Sequence, residues 1–108
     1  MDLICRTVRF GDLPTLVLEG ELDLGSVPAL HNVMTRFLGD ERGNRVAVDL
    51  DGLATLDDAG LGVLLGGAAR ARDGGGDLLI VCTNPRLLDR FELSGLNRAI
   101  EVRDRLGS

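Results

Sequence analysis

The chain contains no tryptophan, no tyrosine and no lysine, and its aromatic content ends with Phe10, Phe37 and Phe91. So few rings exclude the stacking platforms on which single-stranded nucleic acids are bound. The lack of lysine leaves twelve cations, all arginine, against 17 acidic residues and a net charge of −5. No run of basic residues offsets that balance, so no nucleic-acid partner is expected. An all-arginine cation set reads as the trace of GC-rich coding and carries no mechanism. The one histidine, His31, and the two cysteines, Cys5 and Cys82, lie at no metal-site spacing, so neither a metal nor a cofactor is expected. The opening residues Met1 to Arg6 lack the basic start and apolar run of a secretory leader. The uncharged run from Ala59 to Ala69 has 11 residues, too few to span a bilayer. The expectation is a cytoplasmic protein with reduced thiols and no membrane contact.

What is present suits a single domain. The chain has 108 residues, 44% of them hydrophobic and 27% charged. That composition supports an aliphatic core with an ordinary soluble surface. Ile4, Val8 and Phe10 alternate along one side of a first strand. Gly11-Asp12 marks a turn, and residues 15–19 form a second strand, giving a hairpin. Gly20 to Asp23 leave that strand. Ser26 is positioned to cap a helix with Pro28 in its first turn, and Leu30, Met34, Phe37 and Leu38 line its inner side. The continuous apolar stretches 45–50 and 78–82 read as strands buried on both faces. Between them, a turn-rich stretch over 51–58 leads into a helix from about Ala59 to Asp73. Its expected buried side is Leu61, Leu64, Leu65, Ala68 and Ala69, and three glycines stop it. Asn84-Pro85 opens a third helix lined by Leu87, Leu88 and Phe91, ending near Gly95. Residues 100–102 add a last short strand. The order β-β-α-β-α-β-α-β predicts an α/β domain: a mixed, mostly parallel sheet with an N-terminal antiparallel hairpin and helices packed on it.

Two local patterns suggest chemistry. Gly60, Gly62 and Gly66 resemble a dinucleotide-binding glycine loop, but the spacing is one residue too long and the preceding strand ends too early. The better reading places Gly62 and Gly66, four apart, on a helix face that approaches the sheet closely, which offsets their poor helix propensity. Asp49, Asp51, Asp57 and Asp58 suggest a carboxylate site. Asp57 and Asp58 sit where a helix begins, and capping with dipole complementation explains them better than catalysis. His31 is expected on the solvent side of the first helix or at its edge, with no recognisable Ser or Cys nucleophile partner in sequence.

The order of elements and four local stretches together resemble the STAS domain, the fold of bacterial anti-sigma factor antagonists. Gly20-Glu21-Leu22-Asp23 with Pro28 and Leu30 is similar to the family's approach to its first helix. Val48-Asp49-Leu50-Asp51-Gly52-Leu53 resembles the strand and turn before its key loop. Asp57-Asp58-Ala59-Gly60-Leu61-Gly62 corresponds to its D-S-S-G-L-G signature. Asn84-Pro85 with Phe91 to Leu96 resembles its third helix and exit. The likeness covers nearly the whole of residues 1–108. It implies a non-enzymatic binding protein that sequesters a serine-kinase-type anti-sigma factor and so frees a sigma factor, as a monomer or weak dimer. It places the contact surface at Asp23, Asp57, Asp58, Ala59, Gly60 and Leu61. In that family the kinase switches the antagonist off by phosphorylating the second serine of the signature. Here that position is Ala59, which has no hydroxyl, and the serine before it is Asp58. The resemblance therefore implies a constitutive antagonist, a partial phospho-mimic through Asp58, or regulation elsewhere. The constitutive reading is preferred, because a carboxylate carries less charge and reach than a phosphate. Two other functions fit the pattern: a STAS subunit of a larger lipid-transport or stress-sensing assembly, and a small nucleotide-binding α/β domain.

Overall fold

A two-residue turn at Gly11-Asp12 sets the first register. Gly11 takes φ 60 while no non-glycine residue among those described has a positive φ, the pattern of a type II′ hairpin turn. A computed structural model describes residues 2–104. In it β1 (Ile4–Phe10) runs antiparallel to β2 (Leu13–Leu22), with Phe10 opposite Leu13 and Ile4 opposite Glu19. The chain continues through α1 (Val27–Asp40), β3 (Arg45–Leu56), α2 (Asp58–Asp73), β4 (Asp77–Val81), α3 (Pro85–Ser94), the single turn α4 (Leu96–Ala99) and β5 (Glu101–Arg103). The sheet order is β1-β2-β3-β4-β5, and every pair after the first is parallel. Each parallel strand is thus added beside the last through a helical crossover. Crossovers of one hand advancing in one direction put their helices on one face. The expected mixed α/β sheet is what forms.

The burial pattern follows. Leu16, Leu18 and Leu22 of β2, Val46, Val48 and Leu50 of β3, and Leu78, Ile80 and Cys82 at β4 pack with Leu30, Met34, Phe37, Leu61, Leu64, Leu87, Phe91 and Leu96 from the helices. On the opposite face Ala47, Leu79 and Val81 form a small second cluster with Leu13, all of them strand residues or strand ends. The central strands are therefore apolar on both sides, as their uninterrupted hydrophobicity suggests. Ile4 and Phe10 lie on this second face at the sheet's edge and stay 55% and 49% exposed.

Several expectations need correction. Strand β3 does not end at residue 50. Gly52, Leu53, Thr55 and Leu56 pair with Glu19 to Leu22 of β2 through two register shifts, so both strands run on toward the helix ends. Gly20 permits this: it takes φ 101, and a Cβ there would lie 2.1 Å from the Asp2 carbonyl oxygen. Ser26 makes no side-chain cap; its hydroxyl donates instead to the Glu21 carbonyl at 2.9 Å. Helix α2 starts at Asp58, and Leu65 and Ala69 are exposed, not buried. Gly62 and Gly66 face open space, with nothing within 4 Å of a Cβ built on either. The close approach to the sheet is made by Gly60, beside Leu22 and Leu56, while Gly67 lies against Met34 of α1. The turn α4, which places Leu96 in the core, was not foreseen.

Candidate functional site

The ends of β2 and β3 and the start of α2 meet at one corner of the molecule. The Asp57 N–H donates to the Leu22 carbonyl at 3.1 Å, tying the start of α2 to the end of β2. The Asp57 carboxylate then accepts from the Gly60 N–H at 3.2 Å, which makes Asp57 the N-cap, as the sequence suggests. Gly60 is required by its neighbours: a Cβ would lie 2.7 Å from Leu22 Cγ and 2.8 Å from Leu56 Cδ1. Gly60 and Leu61 are buried, so they set the path of the helix and present no side chain outward.

Asp58 is the outward group. Its side chain is 96% exposed, in the first turn of α2, where the helix dipole favours a carboxylate. Arg90 of α3 reaches it, Nη2 to Oδ1 at 2.7 Å. The Arg90 Nε is buried without a partner, so the guanidinium is held by its end alone. Arg90 lies 32 residues from Asp58, and no local sequence signal announces the contact. Ala59 beside Asp58 is partly exposed and offers only a methyl group. The nearest hydroxyl of this loop, Thr55, is exposed on β3.

Asp23 belongs to the neighbouring turn. Its carboxylate accepts from the Ser26 N–H at 3.1 Å, and the Ser26 hydroxyl accepts from the Asp23 N–H at 3.0 Å. The carboxylate is committed to shaping the β2–α1 turn, which carries Leu24 at 74% exposure. The remaining aspartates part company. Asp49 accepts from the Asp51 N–H, while Asp51 accepts from the Thr83 N–H and hydroxyl and ties β3 to the β4–α3 loop. Among the described residues, no group of three or more His, Cys, Asp or Glu is arranged to hold a metal ion. His31 is exposed on α1, as expected. Cys5 and Cys82 are free, and burial pushes both thiols up from their ordinary pKa.

A short loop, a capped helix start and a solvent-facing carboxylate beside a methyl group meet at this corner. The family model described as "Mlab, STAS domain" matches residues 5–104. The chain belongs to the STAS domain family. An anti-sigma-B factor antagonist of Staphylococcus aureus (strain NCTC 8325 / PS 47) is 31% identical over 105 residues, covering 96% of this chain and 95% of that protein. The anti-sigma-B factor antagonist of Staphylococcus epidermidis is 27% identical over 104 residues, with the same coverage. In the solved structures, an anti-sigma factor antagonist from Mycobacterium paratuberculosis superposes with a TM-score of 0.86 at 19% identity, covering 97% of this chain and 88% of that one. That last likeness speaks to the fold alone. No helix among the described residues of this STAS domain is long and apolar enough to cross a membrane.

Proposed function

We propose that this STAS domain is an anti-sigma factor antagonist that binds a serine-kinase-type anti-sigma factor, frees a sigma factor and catalyses nothing itself. The observation that carries the reading is full-length similarity to the staphylococcal anti-sigma-B factor antagonists. The corner of Asp23, Asp57, Asp58, Ala59, Gly60 and Leu61 is its contact surface. Asp58 supplies the charge, and the Asp23 turn supplies the neighbouring wall. Gly60 and Leu61 keep the helix start pressed against Leu22 and Leu56, so that a partner can approach the backbone. A partner with arginine or lysine opposite Asp58 gains a charge-assisted contact and faster association.

Ala59 makes the antagonist constitutive. With no hydroxyl in the acceptor position, a kinase bound at this corner has nothing there to phosphorylate. Asp58 is engaged by Arg90, which reduces the free charge it offers as a phosphate substitute.

The test is affinity for the cognate kinase-type anti-sigma factor. Asp58→Lys places a cation beside Arg90 and at a helix N-terminus, which costs the fold about 1 kcal/mol. It should weaken partner binding tenfold or more, a loss of about 1.4 kcal/mol. Asp12→Lys, exposed in the β1–β2 turn at the opposite end of β2 from the corner, is the control. Equal affinity of the two folded variants would refute the surface. Capture of a transporter ATPase in place of a kinase-type partner would move the protein to a transport assembly.

A further inference from the structure

Strand β1 is the outer strand of the sheet, and only its β2 side is paired among the described residues. Seven residues long and free of proline, it offers a row of unpaired backbone N–H and C=O groups to another strand. The opposite edge, β5, is only three residues long. We propose that β1 is a dimerisation edge, pairing antiparallel with β1 of a second copy about a two-fold axis through Thr7.

The side-chain order selects a second copy as the occupant. An isologous contact must be complementary to itself. With Thr7 opposite Thr7, Ile4 falls opposite Phe10 at both ends of the ribbon, Val8 opposite Arg6, and Cys5 opposite Arg9. Ile4 and Phe10 are two of the five large exposed apolar residues among those described, and they lie on the same face of the sheet. Paired twice, they form the aromatic and β-branched cross-strand contacts that sheets favour. A slip of two residues breaks both pairs, and a slip of one sends them to opposite faces.

The charges permit the approach. Arg6 and Arg9 would ordinarily guard such an edge by repulsion. Arg6 is bound within its own chain to Glu19, at 3.1 and 3.2 Å, and Arg9 lies 3.6 Å from Glu41. On the helix side, a cleft of about 670 Å³ between β1 and α1 has Val8, Pro14, Val33 and Phe37 among its walls. Arg36 and Asp40 border it, one helical turn apart and of opposite sign, so the cleft's rim is also suited to its own two-fold mate. A seven-residue ribbon is short of the roughly 800 Å² per partner of a stable interface, so the dimer is weak and concentration-dependent.

Sedimentation velocity on the full chain, from about 10 µM to about 1 mM, should show a monomer passing to a dimer, with a Kd on the order of 0.1–1 mM. Phe10→Glu, at a half-exposed position that leaves the core intact, should raise that Kd at least about tenfold. In a Cys5→Ser background, Thr7→Cys places its thiol on the axis, where mild oxidation should give a cross-linked dimer. Glu92→Cys, exposed on α3 in the same background, should cross-link far less. A monomer at every concentration would overturn the proposal, as would a dimer indifferent to Phe10→Glu, or Thr7→Cys cross-linking no better than Glu92→Cys. If Phe10→Glu instead abolished capture of an anti-sigma factor by a monomeric chain, the edge would serve another protein and the second copy would be wrong.

Discussion

Replacing Gly60 by alanine tests how the start of α2 is seated. The added Cβ would meet Leu22 Cγ at 2.7 Å, Leu56 Cδ1 at 2.8 Å and Leu22 Cδ2 at 2.9 Å. Leu22 has no exposed surface and Leu56 has 5%, so neither can swing away into solvent. Overpacking of this kind costs about 1–3 kcal/mol. Alanine's better helix propensity, worth about 1 kcal/mol in a helix interior, returns part of that. The net expectation for Gly60→Ala is a loss of up to about 2 kcal/mol. The matched comparison is Gly66→Ala, six residues along the same helix. A Cβ there meets nothing within 4 Å, so only the propensity gain of about 1 kcal/mol remains. The two variants should differ by about 1–3 kcal/mol, or roughly 4–12 °C in Tm for a domain of this size. Urea unfolding with an unchanged m-value would assign the difference to the native state. If Gly60→Ala proved as stable as Gly66→Ala, the close seating of α2 on β2 and β3 would be wrong, and with it the geometry of the proposed contact corner.

Three further outcomes are expected. With the cognate kinase and ATP, the wild type should take up no phosphate, whereas Ala59→Ser should become an acceptor; intact-mass spectrometry showing stoichiometric phosphate on Thr55 of the wild type would overturn the unswitched reading. The Asp77 carboxyl is held below the usual carboxylate range: partial burial alone would raise it, but the Leu78 N–H and Arg72, with a smaller effect of Arg45, outweigh that. Its stabilisation is therefore present above the ordinary aspartate pKa and fades as pH falls through the depressed value, so Asp77→Asn should cost up to about 1 kcal/mol at neutral pH and nothing in strong acid; a cost that grew on acidification would refute the sign. Cys82 has no exposed surface and a raised thiol pKa, so thiol reagents should reach it only on unfolding and mild oxidants should leave partner binding unchanged; an internal Cys5–Cys82 disulfide that abolished binding would expose a redox switch.

The legible parts of this fold were those written in local periodicity or local chemistry. Leu30, Met34 and Phe37 face the core because their spacing puts them on one helical stripe. Val46, Ala47 and Val48 are all buried because a strand covered on both sides needs no alternation. The caps at Asp57 and Asn84 were equally local, since each side chain reaches an N–H two or three residues ahead.

The errors arose where the partner lies elsewhere in the chain. Residues 51–56 carry turn-forming types, yet they extend β3 because Glu19 to Leu22 stand beside them ready to pair. The glycines of α2 show the same limit. Four-residue spacing marks Gly62 and Gly66 as sharing a face but is silent on which face. The inward face is fixed by Leu61, Leu64 and Ala68, and the glycines fall outside it. Gly60 is needed because Leu22, distant in sequence, and Leu56 of the adjoining strand end both press against it. The proposed contact corner shares this origin. Asp57 could be assigned from sequence because it caps its own helix, whereas the setting of Asp58 depends on Arg90, brought across by the packing of α3. A residue whose environment is built by three separate elements is legible only once those elements are docked, and that is why the proposal of this corner rested on a family signature before its physical chemistry could be read.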